Sequence, residues 1–134
     1  MEFLDTNILV YAVSHRTADR ARQEVARRLI RFDGQAISLQ VLQEFYVVCR
    51  APRKLGLSHA EAVRYSQPWR RFLVLEPSLD QYDDALRLCA AHSLSFYDAS
   101  ILAAAAQLKC ATLYSEDLAH GQLYGGVRVV NPFL

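Results

Sequence analysis

No apolar run in this 134-residue sequence approaches the roughly 20 residues that a membrane-spanning helix needs, so no membrane-embedded class is expected. The first residues also lack the basic start and unbroken apolar stretch of a secretory signal, because Glu2 and Asp5 interrupt them. Cysteine is scarce: Cys49, Cys89 and Cys110 are odd in number, far apart and set in apolar patterns, which reads as reduced core thiols and not as a disulfide framework. A reducing cytoplasm is the expected setting. There is no internal repeat, low-complexity tract or interdomain linker, and the length leaves room for one domain, residues 1–134. Lysine is nearly missing, with only Lys54 and Lys109, so the basic residues are almost all arginine.

Apolar residues are plentiful, at 52%, and charged residues make up 22%, which excludes a disordered chain and predicts a well-filled core. Short apolar stretches at Met1–Leu4, Ala36–Ser38, Phe72–Leu75, Ala111–Tyr114 and Val127–Val130 predict five strands. Between them, Ala18, Ala21, Val25, Leu29 and Phe32 recur at helical spacing, with Gly34 as the stop. Further helices are expected over Leu39–Arg50, ended by Ala51-Pro52, and from Ser58, where Ser58 and Glu61 have capping-box spacing. Two more run over Leu79–His92 and Tyr97–Lys109, the last so rich in alanine and leucine that it should be buried nearly all round. Strands alternating with helices predict an α/β fold, a parallel five-stranded sheet flanked by helices on both faces. In such sheets ligands bind beyond the carboxyl ends of the strands.

Four acids reach that edge. Asp5 directly follows the first strand and reads equally as a helix cap or a ligand. Glu44 shares an apolar helix face with Val41 and Val48, where a carboxylate needs a cation or a shifted pKa. Asp98 opens a helix leading back into the fourth strand, and the plain alternative is its place in the capping pattern Ser95-Phe96-Tyr97-Asp98. Asp117 follows the fourth strand, with an ordinary turn acid as the alternative. Singly, the caps and turns would be sufficient explanations. Jointly, four carboxylates on one rim repel: two unit charges about 4 Å apart cost roughly 4 kcal/mol at an effective dielectric of 20. Protons or a hard divalent cation must compensate, and oxygen-only ligands select Mg²⁺ or Mn²⁺ over Zn²⁺. A metal so held can make hydroxide from water and neutralise a phosphoryl group, which points to phosphodiester hydrolysis and a nucleic-acid substrate. Thr6 follows Asp5 directly and Ser115 precedes Asp117 by two residues, positions from which a hydroxyl could orient a carboxylate or a water.

These residues carry a resemblance. MEFLDTNILVYA, the Glu in LQVLQEFYVV, SFYDASILAAAA, LYSEDL and the terminal VVNPF closely resemble the PIN-domain ribonucleases, in particular the VapC-type toxins of toxin–antitoxin pairs. The likeness spans nearly the whole chain and lies in the order and spacing of four acids. It implies a parallel sheet in strand order 3-2-1-4-5, a homodimer, Mg²⁺- or Mn²⁺-dependent endonucleolytic cleavage of RNA, and inhibition by a small antitoxin. It implies Asp5, Glu44, Asp98 and Asp117 as the catalytic, metal-binding quartet, with Thr6 and Ser115 as the hydroxyls beside them. Ser115 stands where the family often has Thr. Glu116 adds a fifth acid, which leaves two candidates to face the metal, and the family spacing favours Asp117.

Elsewhere, Arg16, Arg20, Arg22, Arg27, Arg28 and Arg31 crowd one helix and its entry, either as a solvated face braced by Glu24 or as a guide for RNA. With four acids set aside, 15 basic side chains face 10 acidic ones, a balance of +5 that attracts a phosphate backbone only weakly. Arg50, Arg53 and Lys54 form a smaller basic group. The histidines show no ligand spacing, with His120 alone near the acids, and Tyr46, Trp69, Phe96 and Tyr97 read as core or dimer contacts. A phosphatase using Asp5 as nucleophile is disfavoured, since Asn7 stands where such enzymes carry a second Asp. The remaining alternative is a non-catalytic PIN fold that binds RNA or scaffolds, and the presence of all four acids speaks against it.

Overall fold

The computed structural model describes residues 1–134. Its elements run β1 (Glu2–Leu4), α1 (Thr6–Val13), α2 (Arg20–Leu29), β2 (Gln35–Ser38), α3 (Leu39–Arg50), α4 (His59–Ser66), β3 (Leu73–Leu75), α5 (Leu79–His92), α6 (Phe96–Gln107), β4 (Thr112–Tyr114), β5 (Leu123–Tyr124) and β6 (Val127–Val130). The sheet has six strands in the order β3-β2-β1-β4-β6-β5. All neighbours are parallel except β5 with β6.

The sixth strand corrects the expectation of five. Tyr124 pairs with Val127, so only Gly125 and Gly126 form the turn, and both have positive φ, 51° and 86°. A two-residue hairpin loop of this kind requires positive φ at both central positions, which glycine adopts without strain. β5 thereby extends the sheet by one short antiparallel edge strand beyond the predicted 3-2-1-4-5 arrangement.

The helix predicted over Ala18–Phe32 is shorter. It begins with a 3-10 turn at Thr17–Asp19 and its α-helical part ends at Leu29. Buried Gln35 explains the early stop. Its Oε1 accepts from the backbone N–H groups of Arg31 and Phe32 at 2.8 and 3.0 Å, and its Nε2 donates to Leu29 O at 2.8 Å. One side chain thus satisfies the groups that further helix would have used, and Phe32 turns to φ 66°. Its ring then stacks on Phe72 and Trp69, placing Trp69 in the core.

Other expectations hold within a residue or two. The Ser58–Glu61 capping box is formed in both directions, at 3.1 and 3.0 Å. Ser38, Ser78 and Ser95 cap α3, α5 and α6. α6 is buried from Ala99 through Ala105, although it stops at Gln107, because Lys109 leaves the helical region with φ 57°. Ala85, Ala99 and Ala103 form a small-residue contact between α5 and α6. The main core joins Phe3 and Leu4 of β1, Ile8 and Leu9 of α1, Ile37 of β2, Phe45 of α3, Leu113 of β4 and Val129 of β6, all fully buried. No single helix is long and apolar enough to cross a membrane.

Candidate active site

The parallel order places β1 between β2 and β4, so the carboxyl ends of these strands open onto a common space. Asp5 leaves β1 and caps α1, accepting from Thr6 N at 2.7 Å. Glu44 stands on α3 directly after β2, Asp98 in the first turn of α6, and Asp117 in the loop after β4. All four line one cavity of about 260 Å³, together with Thr6, Asn7, Glu116, Arg16, Lys54 and Tyr97.

Hydroxyls and carboxamides contact three of the acids, holding Asp5 and Glu44 most firmly. Ser115, fully buried, donates to Asp5 Oδ2 at 2.7 Å. The Thr6 hydroxyl donates to Glu44 Oε2 at 2.7 Å, and Gln40 Nε2 donates to the other Glu44 oxygen at 2.7 Å. Asn7 Nδ2 reaches Asp117 Oδ2 at 3.1 Å. The adjacent acid, Glu116, turns elsewhere: Tyr11 OH donates to it at 2.7 Å and Arg22 stands 3.9 Å away. Burial, and then the Glu116 carboxylate, push the Tyr11 phenol up to about 12, so it remains a proton donor. Asp98 uses only its backbone N–H, which donates to the Ser95 cap, and its carboxylate makes no hydrogen bond or ion pair.

Asp5 is 7% exposed, and burial pushes its pKa from an ordinary 3.8 to about 6. The hydrogen bonds from Ser115 and Thr6 oppose that rise, while the charges of Asp117 and Glu44 add to it. None of the four acids has a cationic partner, although Arg16 and Lys54 line the same cavity; Arg16 stands 3.9 Å from Asp19 instead. Asn7 Oδ1 is buried with no donor. An all-oxygen set with excess negative charge and an orphaned carbonyl suits a hard divalent cation in chemistry. As the side chains stand, however, no three His, Cys, Asp or Glu groups converge closely enough to hold one. Asp98 and Asp117 are the two acids left without a strong internal tether.

Asn7 and Gln40 are site residues that sequence reasoning passed over. Gln40 precedes Glu44 by one helical turn, which was the available signal. The bracing of α2 by Glu24 is not formed. Arg31 pairs with Glu2 at 2.6 Å, Arg22 lies near Glu116, and Arg27 donates to Ala12 O at 3.0 Å. Tertiary acceptors outweigh an exposed helical pair worth only tenths of a kcal/mol (about 0.3–0.5). His120 does not line the cavity; its Nδ1 accepts from Asn131 N at 3.0 Å and ties down the loop after β6.

The family model of the PIN domain matches residues 3–125. Comparison with curated proteins finds no match. Among solved structures, a toxin–antitoxin complex from Klebsiella pneumoniae is similar, with 25% identity, a TM-score of 0.71 and 98% of each chain covered. Mycobacterium tuberculosis VapC20, described as a Sarcin-Ricin loop cleaving toxin, aligns with 22% identity and a TM-score of 0.68 over 87% of this chain and 90% of that one. FitAcB from Neisseria gonorrhoeae aligns with 20% identity and a TM-score of 0.66 over 99% of both. At their identities the last two bear on the fold alone.

Proposed function

We propose that this chain, which belongs to the PIN domain family, is a Mg²⁺- or Mn²⁺-dependent endoribonuclease, one catalytic domain over residues 1–134 acting as the toxin of a type II toxin–antitoxin pair. The observation that carries the reading is the cavity at the carboxyl edge of the sheet, lined by Asp5, Glu44, Asp98 and Asp117 with no cation paired to any of them. Similarity to a toxin–antitoxin complex over 98% of both chains supports a small antitoxin as partner. RNA as substrate, a homodimeric state and a cytoplasmic setting complete the proposal.

In this reading Asp5, Glu44, Asp98 and Asp117 hold the metal, which when bound supplies a low-pKa water and neutralises charge on the scissile phosphate. The chain's own residues orient that set. Ser115 and the Thr6 amide fix the two oxygens of Asp5, and Thr6 and Gln40 fix the two oxygens of Glu44. Asp98 and Asp117, whose carboxylates lack a strong internal tether, would complete the set that holds the ion. Tyr11 and Arg22 keep Glu116 aside, while Arg16 and Lys54 offer cationic contacts for the phosphate backbone at the rim.

The lack of three converged acids favours a second reading, a PIN fold that binds RNA without cleaving it. Purified protein added to total bacterial RNA with Mg²⁺ or Mn²⁺, followed by mapping of new 5′ ends, separates the two. Discrete ends that vanish with Asp98→Asn and with chelator are expected. No ends, together with no calorimetric heat on adding Mn²⁺, would overturn the nuclease in favour of the binding module.

A further inference from the structure

A second cavity of about 230 Å³ adjoins the first, one strand over at the same edge of the sheet, where β2 and β3 end. Tyr97 lines both cavities, and Gln40 of the second reaches the first: its Nε2 donates to Glu44 Oε1 at 2.7 Å and to Tyr97 O at 3.3 Å. The two spaces differ sharply in chemistry. The acid cavity holds six carboxylates, from Asp5, Asp19, Glu44, Asp98, Glu116 and Asp117, whereas no charged side chain lines the second. The second is built from three carboxamides, three serines and three aromatic rings, with Leu75 and Pro77 closing it.

We infer that this second cavity is a nucleobase subsite, which seats one unpaired base next to the phosphate held at the acid cavity and sets where the RNA is cut. The inference rests on the nuclease reading and adds to it a determinant of sequence. Neutral donor and acceptor pairs read a base edge, aromatic faces stack on a base, and neither recognises a phosphate well. Gln81, 6% exposed, is set for that role: both of its hydrogen bonds leave from Nε2, at 3.2 Å to Ser100 O and Oγ, which orients the amide and leaves its carbonyl oxygen uncommitted. Gln43 is exposed at the mouth. Tyr82, Phe96 and Tyr97 form a chain of rings with centroids 5.6 Å apart, all three solvent-accessible, and Tyr97 is 68% exposed. Three helix N-termini point toward this space, which would also suit an anion. Their caps already engage amides, with Ser38, Ser78 and Ser95 accepting from Val41, Gln81 and Asp98, and no lysine or arginine backs them.

The test uses two readouts on the full chain. First, cleavage of a randomised single-stranded RNA library should show one flanking position with at least tenfold preference for one base. In Gln43→Ala and Tyr82→Ala, both at exposed positions, the ratio of rates on preferred over non-preferred RNA should fall below threefold. An unchanged ratio in both variants would overturn the subsite while leaving the nuclease intact. Second, the side-chain amide NMR signals of Gln43 and Gln81 are followed with chelator present. Short oligoribonucleotides differing in one base are added, then inorganic phosphate. Base-dependent shifts support the subsite even if no RNA is cut, so the nuclease reading can fail alone. Equal shifts from all four bases, shifts reproduced by phosphate, or no shifts would overturn it.

Discussion

The acid cavity has two unlike halves. On the β1 side, Asp5 is buried and both its oxygens are hydrogen-bonded, and Glu44 is held through both oxygens by Thr6 and Gln40. On the side of α6 and the β4 loop, Asp98 is half-buried with a free carboxylate, and the carboxylate of exposed Asp117 has one hydrogen bond, from Asn7. The first half is preorganised and expensive to fold, because a desolvated carboxylate there has no cation. The second half is adaptable and has little effect on folding. A site divided in this way should respond to mutation in opposite senses: stability should be sensitive on one side only, while activity should depend on both.

Neutral isosteres give the largest contrast. Asp5→Asn and Asp98→Asn are each expected to lower metal-dependent RNA cleavage by more than about 100-fold, since both remove a proposed metal ligand. Their stabilities should part. Asp5→Asn keeps a capping oxygen and removes a buried charge, so at neutral pH it should raise stability by up to about 3 kcal/mol. Asp98→Asn should shift it by less than about 1 kcal/mol, the scale of a helix-dipole contact. Urea titrations in chelator measure both, and equal stability changes would erase the distinction between the halves.

The same buried carboxyl predicts a pH dependence. Folded Asp5 keeps its proton up to about pH 6, whereas its ordinary value is 3.8, so between these limits the folded chain binds more protons than the unfolded one. Its contribution to stability is therefore full below pH 3.8 and is lost as pH rises through about 6. At about 1.4 kcal/mol per pH unit, the loss is on the order of 3 kcal/mol. Denaturant midpoints of the metal-free protein should carry that descending component, and Asp5→Asn should remove it. Millimolar Mn²⁺ at neutral pH should recover part of the lost stability, because a ligand that binds only the folded state stabilises it.

Thr6→Val tests how the preorganised half is held. It preserves shape and removes the hydroxyl that donates to Glu44, so cleavage and Mn²⁺ affinity should both fall about 10- to 100-fold, the usual effect of losing a partner behind a ligand. Calorimetry with Mn²⁺ measures the affinity term directly, and loss of cleavage without loss of affinity would place Thr6 in a role other than orienting Glu44.

Much of this division could be read from the sequence, and the rest could not, for identifiable reasons. The acids reached one edge by topology alone, because strand–helix alternation fixes which chain ends face which side. The Ser58–Glu61 box and the buried α6 followed from local rules. What escaped was side-chain placement: Gln35 ends α2 through backbone groups three to six residues away, and Arg27, one of the residues at helical spacing from Glu24, donates to Ala12 O instead. Gly125-Gly126 was legible as a hairpin signal, yet β5 is only two residues long, too short for alternation to register. The total charge gave no sign of the acid cluster, since 15 basic residues nearly balance 14 acidic ones over the whole chain, and only the order of strands and helices disclosed it.

The smallest expected effect concerns two neighbours in the chain, Glu116 and Asp117. The sequence offered both as candidates to face a metal, with the family spacing favouring Asp117. In the folded chain Glu116 accepts from Tyr11 at 2.7 Å, while Asp117 is drawn toward the acid cluster by Asn7 and by its own N–H, which donates to Ser115 Oγ at 3.1 Å. Glu116→Gln keeps an acceptor for Tyr11 and removes only a partly exposed charge 3.9 Å from Arg22, a pair worth less than about 1 kcal/mol. Cleavage should therefore change by less than about threefold, against tenfold or more for Asp117→Asn. Single-turnover rates on one RNA would compare the two. If Glu116→Gln fell as far as Asp117→Asn, the adaptable half would have to extend across the whole β4 loop, with the Tyr11 contact released on substrate binding, and the boundary between the two halves would lie at Ser115.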